Sequence, residues 1–232
     1  MTKVLYLYGG WPGHHPYDIA AWARELFSEL NYQVEESQDI FTLDRDLTGY
    51  DLIVLGWNNA LTTEDLSDSQ EKNLLDAVAT GTGVAAWHGA AAAFRASLKY
   101  HFLLGGDFVE HPAGEAFPQP YKVSITDREH EVTAGVEDFA VASEQYYMHV
   151  DPNNRVLAET EFSGEHLPWL EGLRSPVAWV RQWGAGRVFY HSIGHTPADL
   201  SEPNVRRLTK QGLRYAARVA NSHSKEKRSW RN

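Results

Sequence analysis

Residues 84–94, VAAWHGAAAAF, decide the fold class of this chain. The apolar run 84–87 predicts a strand buried on both faces, and the alanines after Gly89 predict the start of a helix. In α/β enzymes a strand that turns sharply into a helix often exposes a nucleophile at the corner. Here the corner carries Trp87 and His88, with neither serine nor cysteine. The stretch therefore predicts an α/β fold with a functional histidine above the sheet.

Two further apolar runs in the first half of the chain end in glycine, as buried strands do before a turn. They are VLYLY at 4–8 and LIVL at 52–55, and residues 32–35 indicate another strand. Residues 17–30 and 67–79 carry apolar side chains at helical spacing. Strands that alternate with helices in this way form right-handed crossovers and a parallel sheet covered on both faces.

The second half of the chain changes to short strands joined by tight turns. Strands are predicted at 121–125, 141–147, 156–158, 177–181 and 188–192. WGAG at 183–186 is typical of a hairpin turn, and Pro203 begins a final helix that extends through Val219. We therefore predict a doubly wound, mainly parallel sheet with antiparallel strands added in the second half.

Composition excludes several function classes. The 232 residues carry 31 acidic and 21 basic side chains, a formal net charge of -10, whereas nucleic-acid binding needs clustered Lys and Arg. The basic cluster at 222–232 is predicted as a solvated tail. No stretch approaches the roughly 20 apolar residues of a membrane helix. The absence of cysteine excludes thiolate chemistry and fits a reducing compartment, so we expect a cytoplasmic protein.

Histidines follow three of the predicted strands. His14 and His15 come after the first strand, His88 after the fourth, and His191 and His195 (HSIGH) at or after the last. Because ligands of open parallel sheets bind outside the carboxyl ends of the strands, these imidazoles are expected to meet at one edge. Imidazole acts as acid or base near neutral pH and also binds zinc.

Carboxylates and aromatic residues accompany these histidines. Glu144 in SEQYYMH interrupts an otherwise aromatic strand, and Asp18, Asp107 and Glu110 are further candidates to complete a site. Aromatic residues near the same edge suit a carbohydrate, although each can equally fill the core. They are Trp11, Tyr17, Trp57, Trp87, Tyr146 and Tyr147.

Six stretches in order along the chain resemble the ThuA-like trehalose-utilisation family. They are VLYLYGGWPGHHP (4–16), GTGVAAWHGAAAAF (81–94), YHFLLGGDFVEHP (100–112), REHEVTAGVEDF (128–139), SEQYYM (143–148) and PVAWVRQWGAGRVFYHSIGH (176–195). Glu131 replaces the family's usual proline, and Ser143 and Gln145 depart from its "DELY" strand. The resemblance implies a flavodoxin-like fold of the class I glutamine amidotransferase type, as one domain over 1–221 followed by the tail.

The same resemblance implies a role in the metabolism of sugars and a set of pocket residues. These are His15, His88, His111, Glu144 and His195. In the amidotransferase branch the elbow holds a catalytic cysteine, a place taken here by Trp87 or His88 depending on the alignment, so cysteine-dependent amidotransferase activity is not expected.

Three hypotheses follow for the histidines. The first is an isomerase, epimerase or hydrolase-like enzyme acting on a keto-sugar or glycoside, with His88, His195 and Glu144 as catalytic residues. In its metal variant, Zn²⁺ or another divalent ion is held by His15, His88 and His195, with Glu144 as an alternative ligand. The second is a non-catalytic sugar-binding or interaction domain. In the third, the histidines only stabilise the edge of the sheet.

The ligand predicted by the enzyme hypothesis is a small sugar or sugar derivative. His15, Trp57, Trp87, His111 and Tyr147 are the predicted substrate-binding residues. No nucleotide cofactor, nucleic acid or membrane is expected as a partner. A homodimer is compatible with the aromatic residues and with the family, and the sequence does not define the oligomeric state.

Overall fold

A nine-stranded mixed sheet forms the centre of the computed structural model, which describes residues 1–58, 64–113 and 119–218. The predicted tail at 222–232 lies outside these residues. The strands are β1 (Lys3–Gly10), β2 (Gln33–Ser37), β3 (Leu52–Asn58), β4 (Gly83–Trp87), β5 (Gly106–Glu110), β6 (Gln119–Ile125), β7 (Phe139–Ser143), β8 (Tyr147–Val150), β9 (Arg155–Glu161), β10 (Arg174–Trp183) and β11 (Gly186–His191). The α-helices are α1 (Pro16–Glu29), α2 (Asp68–Ala79), α3 (Leu98–Leu104), α4 (Pro197–Ser201) and α5 (Pro203–Ala216).

The order of the large sheet is β2-β1-β3-β4-β11-β10-β9-β6-β7. Read in this order, neighbouring strands from β2 as far as β11 pair in parallel, and neighbouring strands from β11 as far as β7 pair antiparallel. A separate antiparallel pair joins β5 to β8. This arrangement confirms the predicted α/β fold with antiparallel strands added in the second half.

The apolar runs of the parallel strands are continuous because both faces of the sheet are covered. Along β1, Tyr6 packs in the core on the side of α1 and α5, and the neighbouring Leu5 and Leu7 pack on the side of α2. The three side chains are fully buried. None of the helices in the described ranges combines the length and apolar composition that a membrane span requires.

The corner after β4 differs from the predicted helix. Residues His88–Ala92 form a short 3₁₀ helix, and the next α-helix, α3, begins at Leu98. His88 and Phe94 have φ angles of 45° and 51°, in the left-handed region, which an α-helix of L-residues cannot continue through. The alanines therefore form a tight turn instead of the start of an α-helix.

The predicted strand at 141–147 is also interrupted. It divides into β7, which ends at Ser143 in the large sheet, and β8, which begins at Tyr147 in the small one. Glu144 consequently lies in the connection between the two sheets, outside the alternation of side chains along either strand. The predicted last helix is present as α5, and Val219 lies outside the described residues.

Replacing Gly212 in α5 by alanine is expected to lower the free energy of unfolding by at least about 1 kcal/mol. A Cβ there would overlap the ring of Phe189 on β11, and overpacking a core typically costs about 1–3 kcal/mol. Chemical denaturation measures the change. Gly49→Ala is the control, because a Cβ at Gly49 meets no atom within 4 Å. A Gly212→Ala protein as stable as the wild type would contradict this packing of α5.

Candidate functional site

Four side chains from four separate segments converge above the carboxyl ends of the parallel strands. His14 ends the 3₁₀ helix that follows β1, His88 follows β4, His195 follows β11 and Glu144 joins β7 to β8. Their candidate ligand atoms all lie within 4.8 Å of one another. These four residues are called the His–Glu cluster below. Because β1, β4 and β11 belong to the parallel part of the sheet, the topology itself brings their ends together.

Glu144 is the centre of this cluster. Its Oε2 lies 3.1 Å from His88 Nε2 and 3.7 Å from His14 Nε2, and its Oε1 lies 3.2 Å from His195 Nδ1. Only 10% of the side chain is exposed. Burial alone raises the pKa of Glu144, but hydrogen bonds from His195 and His88 outweigh it and hold that pKa below its ordinary value. The cluster therefore keeps a buried carboxylate ionised.

The hydrogen bonds of His88 fix the direction of its lone pair. Its Nδ1 lies 2.9 Å from the carbonyl oxygen of Ser192, and since a carbonyl only accepts, Nδ1 carries the hydrogen. The lone pair of the neutral ring is then on Nε2, which lies 3.0 Å from the hydroxyl of Tyr146 and 3.1 Å from Glu144. A lone pair and an ionised carboxylate repel each other, so the hydrogen bond from His88 to Glu144 requires a second proton on the ring. Without that proton, a cation can take its place between the two atoms.

His14 is the second imidazole held in a form that can bind a metal. It is buried, and its Nδ1 has no hydrogen-bond partner. Burial, followed by the nearby His88, lowers the pKa of His14 to about 2. Its ring centroid lies 4.7 Å from those of both His88 and His195. A neutral imidazole thus lies against the carboxylate at neutral pH.

The structure places His15, which the sequence predicts as a metal ligand and substrate contact, outside the His–Glu cluster. Its φ is 47°, a left-handed conformation that begins α1, and its Nδ1 lies 3.7 Å from Asp18 on that helix. About half of its side chain is exposed. The left-handed residue turns the chain at this point, so the first histidine of the loop lies inside the cluster. The second lies at its solvent side, with its ring centroid 6.2 Å from that of His195.

The tyrosine beside the cluster is also one residue away from the predicted one: it is Tyr146, and the sequence predicts Tyr147. Tyr146 stacks on His88 with ring centroids 4.5 Å apart, whereas the ring of Tyr147 contacts Phe162 and His149. Because β8 begins at Tyr147, neighbouring side chains point to opposite sides. The residue that reaches the cluster is therefore the buried one of the two.

Trp57 and Trp87 are buried beside the cluster. With His14 and His88 they line a cavity of about 20 Å³, which has room for about one water molecule. Trp87 also packs against Tyr6 in the core. Both tryptophans lie next to the predicted site, but this space is too small for a sugar.

A larger cavity of about 190 Å³ borders Glu144. It is lined by Trp11, His14, Ala92, Arg95, Phe108, His111, Glu144 and Tyr146. The Nε2 of His111, a pocket residue implied by the family resemblance, lies 3.9 Å from Glu144 Oε1 on the wall of this cavity. Among the described residues, those lining this cavity include His14 and Glu144 but neither His88 nor His195.

Asp199 connects the two segments that carry Glu144 and His195, and sequence reasoning missed it. Its Oδ2 accepts a hydrogen bond of 2.5 Å from Ser143, the residue before Glu144. Its Oδ1 accepts one of 2.6 Å from Thr196, the residue after His195. The available signal was TPAD at 196–199, a sequence typical of a capping box.

Comparison with known proteins gives a family and a fold. The model of the ThuA family, described as trehalose utilisation, matches residues 3–216. A search of curated proteins finds no match. A ThuA-like protein from Parabacteroides merdae ATCC 43184 superposes with a TM-score of 0.77 at 18% identity, covering 93% of this chain and 89% of that one.

Two further solved structures are similar. A ThuA-like protein from Bacteroides uniformis ATCC 8492 has a TM-score of 0.71 at 21% identity, covering 93% of this chain and 91% of that one. A protein described as cytoplasmic, from Salmonella typhimurium LT2, has a TM-score of 0.67 at 14% identity, covering 94% and 100%. At these identities the likeness shows the fold.

His191, the first histidine of HSIGH, lies in the core and predicts a pH dependence of stability. Burial and then His88 lower its pKa to about 3, whereas an unfolded chain takes up this proton near pH 6.5. Between about pH 6.5 and pH 3 the unfolded chain therefore binds this proton and the folded chain does not. The free energy of unfolding falls by about 1.4 kcal/mol for each pH unit that the pH is lowered across this range.

His191→Gln is therefore expected to reduce the slope of unfolding free energy against pH by about that amount, measured by denaturant unfolding across this range. Glutamine retains a donor for Thr209, whose hydroxyl lies 2.9 Å from the ring. The exposed His149, changed to glutamine, is the control and should leave the slope unaltered. An unchanged slope in His191→Gln would contradict a buried neutral ring.

Proposed function

This chain belongs to the ThuA family, and we propose that it is an enzyme that performs metal-assisted acid–base chemistry on a keto-sugar or glycoside. Membership of a family described as trehalose utilisation supports a role related to carbohydrate metabolism. The observation that carries the proposal is the His–Glu cluster, whose buried carboxylate faces a cavity of about 190 Å³. A cytoplasmic location and a homodimer remain predictions.

The donor set of the cluster fits a divalent first-row metal. Three imidazoles and one carboxylate, without any thiolate, are typical ligands of zinc and related ions. The Nδ1–H of His88 also donates to the carbonyl of Ser192. Metal-bound histidines usually make such a hydrogen bond through the ring nitrogen that does not bind the metal. We therefore assign Zn²⁺ or another divalent ion to His14, His88, Glu144 and His195, with His14 in place of the predicted His15.

A metal bound there would polarise a substrate oxygen or acidify a water molecule. The chain's own groups supply the proton transfer, for which a base near the substrate carbon is needed. Glu144 lines the cavity and is the proposed base. His88 and His195 lie within 3.2 Å of its oxygens; they would exchange a proton with it only in the metal-free site, because a ring nitrogen bound to a metal has no lone pair or hydrogen to offer. His111 is the proposed substrate contact on the cavity wall, together with Trp11 and Phe108.

The two neighbouring histidines of the first loop provide a matched test of the metal. Wild-type protein is expected to bind about one divalent ion per chain, measured by elemental analysis after dialysis. His14→Asn should weaken metal binding by more than the roughly 10–100-fold that is lost when a residue hydrogen-bonded to a metal ligand is removed. His15→Asn should bind normally, because asparagine tolerates the left-handed conformation at this position. Equal binding by both variants, or no stoichiometric metal in wild type, would remove the ion from the proposal.

Turnover is tested by screening oxidised disaccharides, oxidised monosaccharides and glycosides, with and without added divalent metal. Glu144→Gln and His88→Gln are expected to lower turnover by at least about 100-fold, since proton transfer by a positioned side chain contributes about that much or more. Tyr147→Phe is the control, because its ring faces Phe162, and it should remain active.

Two outcomes would favour the other hypotheses. Sugar binding that survives His88→Ala and His195→Ala, with no turnover by wild type on any substrate, would indicate a non-catalytic binding domain. Large losses of thermal stability in those variants would indicate that the imidazoles mainly stabilise the edge of the sheet.

A further inference from the structure

We propose that the 190 Å³ cavity binds a single-ring sugar derivative that carries a carboxylate or phosphate group, and that Arg95 binds this group. The inference rests on the proposed function for the identity of the ligand as a sugar. It adds the charge of the substrate and the residue that selects it.

Arg95 is held at the wall of the cavity before any ligand binds. One terminal nitrogen donates a hydrogen bond of 2.7 Å to the backbone carbonyl of Phe108. The guanidinium also lies over the Phe108 ring, 5.6 Å from its centroid. A guanidinium has five N–H groups, so these contacts leave donors for a ligand, and 44% of the side chain remains exposed.

The ion pair of Arg95 adds little to the stability of the fold. Fixing an arginine side chain costs rotamer entropy, and the carboxylate facing it, Asp107, is 3.7 Å away and 41% exposed. An exposed ion pair of this kind contributes little, and Asp107 also lies 3.5 Å from His101. The guanidinium is therefore only partly neutralised, and an incoming anion gains from its charge.

The wall of the cavity carries both a cation and a carboxylate. Arg95 is the permanently charged cation among the described residues that line it, and the carboxylate of Glu144 is surrounded by imidazoles. A guanidinium pairs with carboxylate or phosphate through two parallel hydrogen bonds. A substrate can therefore place its anionic group at Arg95 and its reacting carbon at Glu144.

The size of the cavity limits the ligand to one ring. Pockets that enclose drug-sized ligands measure about 300–1,000 Å³, and this one measures about 190 Å³. Trp11 and Phe108 supply flat apolar surfaces, which suit the C–H face of a sugar. A second sugar unit of a disaccharide would have to lie outside this space.

Direct binding tests the proposal without requiring turnover. Calorimetric titrations use D-glucuronate, D-glucose 6-phosphate and neutral D-glucose as probes, so that the first two distinguish carboxylate from phosphate. Wild type is expected to bind at least one anionic probe more tightly than D-glucose. Arg95→Gln should lose about tenfold to a hundredfold in affinity for that probe, as expected for hydrogen bonds to charged groups, and keep its affinity for glucose.

Two further variants separate local recognition from overall charge. Arg95→Lys keeps the charge but not the paired geometry, so it should recover part of the affinity. Arg174→Gln removes the same charge from an arginine that is 70% exposed and pairs with Glu161, and it should bind like wild type. Equal losses in Arg95→Gln and Arg174→Gln, or no preference of wild type for either anionic probe, would overturn the proposal.

Failure of the catalytic proposal would look different. In His88→Gln, binding of the anionic probe should persist while turnover is lost, because His88 does not line the cavity. Anion-selective binding by a wild type that turns over nothing would leave the role of Arg95 standing and reject the enzyme. Turnover of neutral keto-sugars, with no preference for anionic probes in binding, would support the enzyme and reject the role of Arg95.

Discussion

The withdrawal of the Glu144 carboxylate from water is the constraint on which the rest of the site depends. An isolated buried carboxylate is strongly unfavourable, and here its oxygens are approached by imidazoles from the ends of β1, β4 and β11 and from the end of β5. Each of these segments must be in position for the charge to be tolerated. The geometry of the large sheet, the connection to the small sheet and the protonation of the cluster are therefore parts of one arrangement.

The sequence was sufficient for the architecture and for the edge at which the site forms. Continuous apolar runs ending in glycine reveal buried parallel strands, and the parallel topology then requires their carboxyl ends to meet. Which of two adjacent side chains points inward was beyond this reasoning, because it depends on single backbone angles. The left-handed His15 directs His14 into the cluster, and the start of β8 at Tyr147 directs Tyr146 there. Asp199 was missed because its partner, Ser143, is distant along the chain.

The elbow after β4 shows how one scaffold can be used for different chemistry. Its strained corner places one side chain above the strand ends, and in this chain that residue is the buried His88, with φ of 45°. A left-handed conformation of this kind costs free energy that the surroundings must offset, and the hydroxyl of Tyr190, bonded to the His88 carbonyl at 2.8 Å, contributes to that. The fold alone does not define the reaction; the imidazoles gathered around the carboxylate restrict it far more closely.

The position of β11 in the sheet has a consequence for how the protein is made. This strand lies between β4 and β10, although only α4 and α5 follow it among the described elements of the chain. During translation the early βαβ units emerge with β4 as an open edge, and β11, which covers that edge, follows only after β5 to β10. Such long-range pairing is slow to form. A nascent or truncated chain ending before β11 thus exposes an unpaired apolar strand and lacks His195, so it is prone to aggregate and cannot assemble the cluster.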